Sequence, residues 1–363
     1  MRRIPLPADA ARSDALVAEA VAAIRDGKIV VLPTETVYGL VADPRDPAAV
    51  ARITEWKGRP HDLVFTHHIA DRDAILALVP ALPARIERLV DRYWPGPLTV
   101  VLPGLQGGNV GLRLPAQDFT RAVIRAYGSS LYLSSVNESG QPPIIEPDAI
   151  AAAFAGRLDL LFDDGVPALR QASTVVRYLP PPAAPEFGEL EVLRTGTLSA
   201  DDVLHTAARS AIFVCTGNTC RSPLSAALAR HAAARRLGTT DDRVLAHGLH
   251  LYSAGIAANE GEPASDGSLL AAADIGIDLT GHRSQLLTAE MIEGAERVFC
   301  LGPAHLVAAR ALAPQAAERI ELLDPQGGSI PDPYGTDPQT YRQTRDIIAT
   351  LVDARIAELV PEL

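Results

Sequence analysis

The sequence predicts an α/β protein of two domains, the second of them built on a doubly wound parallel sheet. Its 363 residues are many for one hydrophobic core and suit two domains. Short apolar runs rich in β-branched residues alternate along the chain with amphipathic helical stretches. Hydrophobic residues make up 47% of the chain and charged residues 21%, which is the composition of an ordinary globular protein.

The first domain is predicted to span residues 1–200. Its first helix places Leu16, Val17 and Val21 on one face and ends at Gly27. Helices with comparable periodicity are predicted over residues 13–27, 46–56, 70–94, 118–126 and 147–155. Short apolar strands are predicted over residues 28–33, 98–102, 110–114, 130–135, 158–162, 173–179 and 189–196.

The second domain is predicted to span residues 208–363, after a connection within 197–209. Strands separated by helices favour a parallel, doubly wound sheet. The predicted strands cover residues 211–215, 244–255 and 297–302. The predicted helices cover residues 223–237, 264–275, 303–313 and 338–360.

Charge, cysteine content and the first residues restrict the class of protein. The net charge of −11 argues against a general nucleic-acid binder, because duplex affinity rests largely on cationic contacts with phosphates. Three cysteines, an odd number, argue against a secreted disulfide scaffold. The opening MRRIPLPADAARSD lacks the apolar core of a signal peptide, and no apolar run approaches the ~18 residues of a membrane span. We therefore expect a cytoplasmic protein without a membrane partner.

The segment FVCTGNTCRSP, residues 213–223, places two cysteines and an arginine between a strand and a helix. A zinc site needs about four nitrogen or sulfur ligands, more than Cys215 and Cys220 provide, and a structural disulfide is not expected in a reducing compartment. The third interpretation is an anion site, since loop amides and the helix N-terminus converge and Arg221 adds a charged fork. The same positive field favours the Cys215 thiolate, a competent nucleophile.

This loop and the residues after it resemble the low-molecular-weight protein-tyrosine phosphatases over residues 210–361, including the later stretches YSAG, GIDLTGHRSQLL and DPYG. The resemblance implies hydrolysis of phosphorylated proteins through a phosphocysteine, with neither metal nor cofactor. It implies that Cys215 is the nucleophile, Arg221 clamps the transition state and Asp332 is the general acid. Ser222 would cap the helix, donate to the thiolate, or do both. The phosphate loop would further contain Thr216, Gly217, Asn218, Thr219, Cys220 and Ser222.

Two details resemble the protein-arginine phosphatase branch of this family in particular. Tyrosine-directed members more often have an aliphatic residue at the position of Thr219, and some have a second aromatic residue at that of Gly335. The resemblance thus favours phosphoarginine over phosphotyrosine. A thiol-dependent arsenate reductase shares the loop but would need a further pair of redox cysteines, and only Cys300, a predicted core residue, remains. Cys220 would either form a reversible disulfide with Cys215 or simply pack.

In the first domain, several stretches are informative only together, and they follow one another as PTETVYGL, KGRP, WPGPLTVVL, SSVNESGQP and ASTVV. In this order and spacing they resemble the YrdC-like family, the threonylcarbamoyl-AMP synthases, over residues 10–196. The resemblance implies a twisted α/β domain whose substrates are L-threonine, bicarbonate and ATP, the last accompanied by Mg²⁺. Since the product supplies a tRNA modification, tRNA would be only an indirect partner.

Lys57 and Arg59 are two residues apart, so on an extended segment both face the same way and can hold a triphosphate. Lys57 is also one of only two lysines in the chain. The resemblance implies that the nucleotide is bound by Lys57, Arg59, Arg113, Ser135, Asn137 and Arg194. It implies that threonine is bound by Thr34, His68 and Ser173.

Three places depart from the family pattern and remove polar ligands expected on the nucleotide side. Leu63-Val64-Phe65 stand where the family usually has a polar or basic residue followed by Pro-Leu, Asn109 stands in place of a threonine, and Pro143-Ile144-Ile145 stand where serine and threonine are usual. Two hypotheses therefore stay open, an active synthase fused to a phosphatase and an active phosphatase whose first domain only binds a ligand or RNA. Carbamoyl transfer of the hydrogenase-maturation type would need zinc-finger and acylphosphatase regions, which the sequence does not show.

Overall fold

A computed structural model describes residues 1–58, 65–138, 140–181 and 187–360 and divides the chain into two compact units. The first unit holds Met1–Pro180 and Glu189–Ala207, and the second holds Pro181–Gly188 and Ala208–Leu363. The first unit thus continues past the predicted end at residue 200. Val203 and Ala207 are fully buried in its core, and this burial anchors the segment that was assigned to the connection.

One mixed sheet forms the centre of the first unit, in the order β1-β8-β2-β3-β7-β4-β6-β5-β9-β10. The pairs β1–β8, β2–β8, β4–β6 and β5–β9 are parallel, and the other neighbours are antiparallel. The strands are β1 (Arg2–Pro5), β2 (Val30–Leu32), β3 (Gly39–Ala42), β4 (Thr66–His68), β5 (Leu98–Pro103), β6 (Asn109–Arg113), β7 (Leu131–Ser135), β8 (Leu160–Asp163), β9 (Thr174–Leu179) and β10 (Glu189–Arg194).

The helices of this unit show that one prediction is wrong. The single helix predicted over residues 70–94 is instead a 3₁₀ helix, Arg72–Ala77, and a separate α-helix, because Pro80 and Pro83 interrupt the backbone hydrogen bonding between them. The α-helices are α1 (Asp14–Arg25), α2 (Pro47–Lys57), α3 (Ala84–Tyr93), α4 (Asp118–Tyr127), α5 (Pro147–Ala153) and α6 (Ala200–Ala207).

The second unit has a parallel four-stranded sheet in the order β12-β11-β13-β14, which confirms the predicted doubly wound fold. The predicted strand over residues 244–255 is wrong at its start, because Gly248 with φ +92° belongs to a turn. The strands are β11 (Arg209–Cys215), β12 (Leu249–Gly255), β13 (Arg297–Cys300) and β14 (Ile320–Leu322). The helices are α7 (Arg221–Leu237), α8 (Asp266–Ala273), α9 (Ala289–Gly294), α10 (Pro303–Leu312) and α11 (Pro338–Leu359).

Small side chains let the helices of the second unit approach the sheet closely. Ala229 and Ala233 of α7 are fully buried in the same core as Phe213 of β11 and Phe299 of β13, whose ring centroids lie 5.5 Å apart. Within the described ranges of the chain, no helix combines the length and the apolar character that crossing a membrane requires.

Candidate active sites

The cysteine loop lies at the carboxyl end of the parallel sheet, where Cys215 ends β11 and Arg221 begins α7. Asn218 adopts φ +56°, a left-handed conformation that asparagine tolerates better than most residues. The neighbouring strand closes on the loop at Gly255, where a Cβ atom would lie 2.5 Å from the Thr216 carbonyl oxygen. The close approach therefore requires glycine at this position.

The Cys215 sulfur is buried at the base of this loop. Ser222 Oγ lies 2.9 Å from Cys215 Sγ, and the Asn218 amide donates to the same sulfur over 3.3 Å. These donors and the N-terminus of α7 converge on one position, which favours a negatively charged group bound above the sulfur.

Asn218 holds the loop in this shape. Its side chain is fully buried, and Nδ2 donates to Ser222 Oγ over 2.9 Å and to Ser253 Oγ over 2.8 Å. The Gln285 amide donates to Asn218 Oδ1 over 2.9 Å, and His282 Nε2 lies 2.7 Å from the Asn218 carbonyl oxygen. Asn218 is thereby held by α7, by β12 and by the segment 282–285.

Arg221 and Asp332 form an ion pair beside the loop. Arg221 Nη2 lies 2.6 Å from Asp332 Oδ2, and Nη1 donates to the Ile330 carbonyl oxygen over 3.1 Å. Arg221 Nε is buried without a hydrogen-bond partner among the described residues. The Arg221 side chain is 8% exposed and that of Asp332 is 49% exposed. A buried fork thus stands next to a carboxyl group that solvent can reach.

The other two cysteines are also free thiols. Cys220 Sγ contacts Ser265 Oγ at 3.2 Å and the Tyr341 hydroxyl at 3.6 Å. Burial raises the pKa of the Cys300 thiol to about 12, as suits a core residue. Thr219 Oγ1 lies 3.7 Å from Cys220 Sγ, and Gly217 completes the loop.

Two histidines in this unit were not predicted from the sequence. His282 binds the Asn218 carbonyl, and His305 of α10 places Nε2 3.0 Å from Thr216 Oγ1. Burial lowers the pKa of both imidazoles, and Arg221 further lowers that of His305, whereas Asp332 raises it. His282 lies within the quoted stretch GIDLTGHRSQLL, although its contact with Asn218 was not predicted, whereas His305 has no local sequence signal because it meets the loop only through the tertiary fold.

The first unit contains a cavity of about 570 Å³. Every predicted ligand-binding residue that the structure describes lines it, whereas Arg59 lies outside the described residues. The residues brought together are Thr34, Lys57, His68, Arg113, Ser135, Asn137, Ser173 and Arg194.

Lys57 is the last residue of α2, a helix with a defined cap at each end. Asp46 caps the start of that helix, and Gly58 with φ +58° ends it directly after Lys57. The Lys57 amine donates to the Ser135 carbonyl oxygen over 2.5 Å and to Asn137 Oδ1 over 3.1 Å. Ser135 Oγ donates to the same Asn137 oxygen over 2.5 Å. The predicted lysine and Ser-x-Asn residues therefore form one cluster.

Arg113 occupies a second cationic position in the cavity. Its Nη2 lies 2.5 Å from Glu35 Oε1 and donates to Thr36 Oγ1 over 2.7 Å. Glu35 also accepts from the Ala116 amide over 2.9 Å. Sequence reasoning missed Glu35, although it lies inside PTETVYGL, the stretch that pointed to this site.

The residues predicted to hold threonine are buried near Arg113 and Arg194. Burial and the charge of Arg113 lower the pKa of His68 to about 3, so this imidazole is neutral at ordinary pH. Arg194 Nη2 donates to the Ser173 carbonyl oxygen over 2.8 Å, and Ser173 Oγ lies 2.8 Å from Thr99 Oγ1. Thr34 Oγ1 accepts from the Val37 amide over 3.1 Å and donates to the Val37 carbonyl oxygen over 2.5 Å.

The comparison with protein families assigns one family to each unit. Residues 22–196 match the model described as Telomere recombination, which covers Sua5, YciO and YrdC. Residues 210–362 match the model described as Low molecular weight phosphotyrosine protein phosphatase.

Curated relatives match the first unit. The threonylcarbamoyl-AMP synthase of Pyrococcus abyssi is 38% identical over 162 residues, which are 42% of this chain and 48% of that protein. The Bacillus subtilis synthase is 35% identical over 176 residues, 45% of this chain and 50% of that protein. The chain thus spans about half the length of these two relatives. It spans 89% of the Xanthomonas oryzae pv. oryzae synthase, at 33% identity over 168 residues and 43% of this chain.

Solved structures match both units. A Pyrococcus abyssi Sua5 variant is 27% identical, with a TM-score of 0.50, and the match covers 59% of this chain and 71% of that one. The YwlE arginine phosphatase from Geobacillus stearothermophilus is 33% identical, with a TM-score of 0.37, and the match covers 42% of this chain and 92% of that one. The chain therefore belongs to the threonylcarbamoyl-AMP synthase family through residues 22–196 and to the low-molecular-weight protein phosphatase family through residues 210–362.

Proposed function

We propose that the chain is a bifunctional enzyme that forms L-threonylcarbamoyladenylate and dephosphorylates proteins through a phosphocysteine. The observation that carries the second activity is the convergence of the Asn218 amide, Ser222 Oγ and the N-terminus of α7 on Cys215 Sγ. In this reaction the thiolate attacks phosphorus while Asp332 protonates the leaving group, and Arg221 holds two phosphoryl oxygens. Water then attacks the phosphocysteine and transfers its proton to the Asp332 carboxylate.

We infer that the preferred substrate is phosphoarginine. Thr219 gives the loop a hydroxyl where an aliphatic residue would suit a phenol ring, and Gly335 leaves no second aromatic side chain after Tyr334. Both features favour a polar guanidinium leaving group over an aromatic one.

The synthase activity is supported by the cations that line the cavity of the first unit. Lys57, Arg113 and Arg194 come from three different elements of that unit and contribute charge to one space, as a triphosphate requires. Among the described residues, no group of three or more histidine, cysteine, aspartate or glutamate side chains could hold a metal ion. Mg²⁺ bound to ATP would supply further positive charge at phosphates that Lys57 and Arg113 hold.

A second candidate function is an active phosphatase whose first unit only binds a ligand or RNA. It is favoured by the stretch Leu63-Val64-Phe65, which stands where the family usually has a polar or basic residue followed by Pro-Leu and of which Phe65 lines the cavity. Titration calorimetry with ATP and threonine separates the two functions. The synthase predicts ATP binding and threonine-dependent release of pyrophosphate, and an absence of ATP binding at millimolar concentration would exclude it.

The phosphatase activity is tested with p-nitrophenyl phosphate and with phosphoarginine and phosphotyrosine peptides of the same sequence. We expect Cys215→Ser to abolish turnover, because a serine hydroxyl is a much weaker nucleophile than a cysteine sulfur. Full activity of this variant would refute the nucleophile. Faster hydrolysis of the phosphotyrosine peptide would refute the arginine preference while leaving the phosphatase activity intact.

A further inference from the structure

His305 is a buried titratable group that the mechanism above does not use. It lies near the start of α10, and its Nε2 atom is 3.0 Å from Thr216 Oγ1. Its Nδ1 atom is buried without a hydrogen-bond partner among the described residues. A histidine held in this way needs an explanation, since a buried polar group without a partner is costly.

The surroundings of the imidazole fix its protonation. The charged groups that act on it are Arg221 of α7 and Asp332 of the loop after β14, and burial together with Arg221 outweighs Asp332. A neutral imidazole with its proton on Nε2 donates to Thr216 Oγ1 and leaves only a lone pair on Nδ1. The other tautomer would bury an N–H group without an acceptor, which is the costlier arrangement.

Thr216 follows the nucleophile directly and is exposed, whereas Cys215 is buried. Because His305 donates to the Thr216 oxygen, the hydroxyl keeps one lone pair and its own O–H group for a bound molecule. The imidazole also removes the rotational freedom of this hydroxyl. The result is a fixed polar group beside the position where a substrate's leaving group must lie.

We propose that His305 is a positioning residue that holds the Thr216 hydroxyl as a hydrogen-bonding contact for a leaving group that carries N–H donors. This inference rests on the proposed phosphatase function and deepens it by naming a determinant of substrate class. A guanidinium presents several N–H donors to such an acceptor, whereas the edge of a phenol ring presents none. His305 and Thr216 therefore favour phosphoarginine independently of Thr219.

The test compares kcat/KM of the full chain for phosphoarginine and phosphotyrosine peptides of the same sequence. Loss of one neutral hydrogen bond should make His305→Ala and Thr216→Val lower the ratio of phosphoarginine to phosphotyrosine activity by about 3- to 10-fold. His305→Gln should restore most of the ratio, since its amide can donate in place of Nε2. The double variant should lose no more than Thr216→Val alone.

His231, an exposed histidine paired with Asp241, provides the matched control, and His231→Ala should leave the ratio unchanged. Thr216→Val removes only an exposed hydroxyl and keeps the test open if His305→Ala does not fold. An equal loss on both peptides, an additive double variant or no rescue by glutamine would overturn the inference but not the phosphatase activity. A wild-type chain that hydrolyses neither peptide would overturn the proposed function and this inference with it.

Discussion

Replacing Asn218 tests whether the buried network holds the cysteine loop in its active shape. Asn218→Ala removes the bonds to Ser222 and Ser253 and the acceptor of the Gln285 amide. At about 1 kcal/mol for each hydrogen bond, the loss amounts to about 3 kcal/mol in the free energy of unfolding. The left-handed backbone at this position adds about 1 kcal/mol for alanine, so we expect a total near 4 kcal/mol.

Asn218→Gly is the matched control for the backbone contribution. It removes the same three hydrogen bonds but accepts φ +56° without strain, so it should be about 1 kcal/mol more stable than Asn218→Ala. Both variants free the Ser222 hydroxyl that contacts Cys215 Sγ, and both should lower kcat/KM for p-nitrophenyl phosphate about 10- to 100-fold.

The positions of the two tryptophans make the stability assay selective. Trp56 and Trp94 both lie in the first unit, so tryptophan fluorescence during urea unfolding reports on that unit, whereas far-UV circular dichroism reports on both. The Asn218 variants should shift the dichroism transition and leave the fluorescence transition in place. An alanine variant as stable as wild type, or a glycine variant less stable than the alanine variant, would refute the reasoning about this network.

Three further predictions follow from the two sites. Arg221→Lys keeps the charge but loses the planar fork, so kcat/KM for p-nitrophenyl phosphate should fall about 100-fold or more, and near-normal turnover would exclude bidentate binding. Lys57→Met removes the donor to Ser135 and Asn137 and should abolish ATP binding in calorimetry while phosphatase turnover is kept. The pKa of His68 is about 3 in the folded chain and near 6.5 in the unfolded chain, so between these values only the unfolded chain takes up a proton. Acid in this range therefore lowers the free energy of unfolding of the first unit by up to about 5 kcal/mol. His68→Gln should flatten this acid dependence of the tryptophan-monitored transition, and an unchanged slope would place the titration elsewhere.

The sequence was sufficient to predict the cysteine loop because its chemistry is contiguous. A strand, a loop and a helix N-terminus are predicted within residues 213–223, and in the structure β11 ends at Cys215 and α7 begins at Arg221. The contacts that support the loop could not be predicted, because Ser253, Gln285 and His305 come from three distant segments. Ser253 and Gln285 lie in the quoted stretches YSAG and GIDLTGHRSQLL, but the sequence did not show what they bind. Short motifs thus show the reacting atoms, whereas the residues that orient them depend on tertiary packing.

In the first unit the order of the motifs predicted which side chains share the cavity but not how they are paired. Glu35 lies two residues before Val37 in a quoted motif, yet its ion pair with Arg113 depends on the approach of β6 to the segment before β3. The predicted helix over residues 70–94 failed for a local reason, because the apolar periodicity continued across Pro80 and Pro83. That prediction gave more weight to the apolar periodicity than to the prolines, but the prolines determine where the helix is interrupted.

Two of the departures from the family pattern place apolar side chains in one core cluster beside the cavity. Phe65 packs with its ring centroid 5.6 Å from that of Tyr132 and lines the cavity wall, and Ile144 packs against the same core cluster. Asn109 also lines the cavity and keeps a polar amide there.

Three cations, Lys57, Arg113 and Arg194, remain at the cavity. In the proposed synthase these cations would hold the phosphates, and the apolar side chains would change the recognition of the rest of the nucleotide. A comparison of ATP with inorganic triphosphate by calorimetry separates the two halves of the site. A retained synthase should bind ATP more tightly than triphosphate, whereas a domain that has lost base recognition should bind both alike.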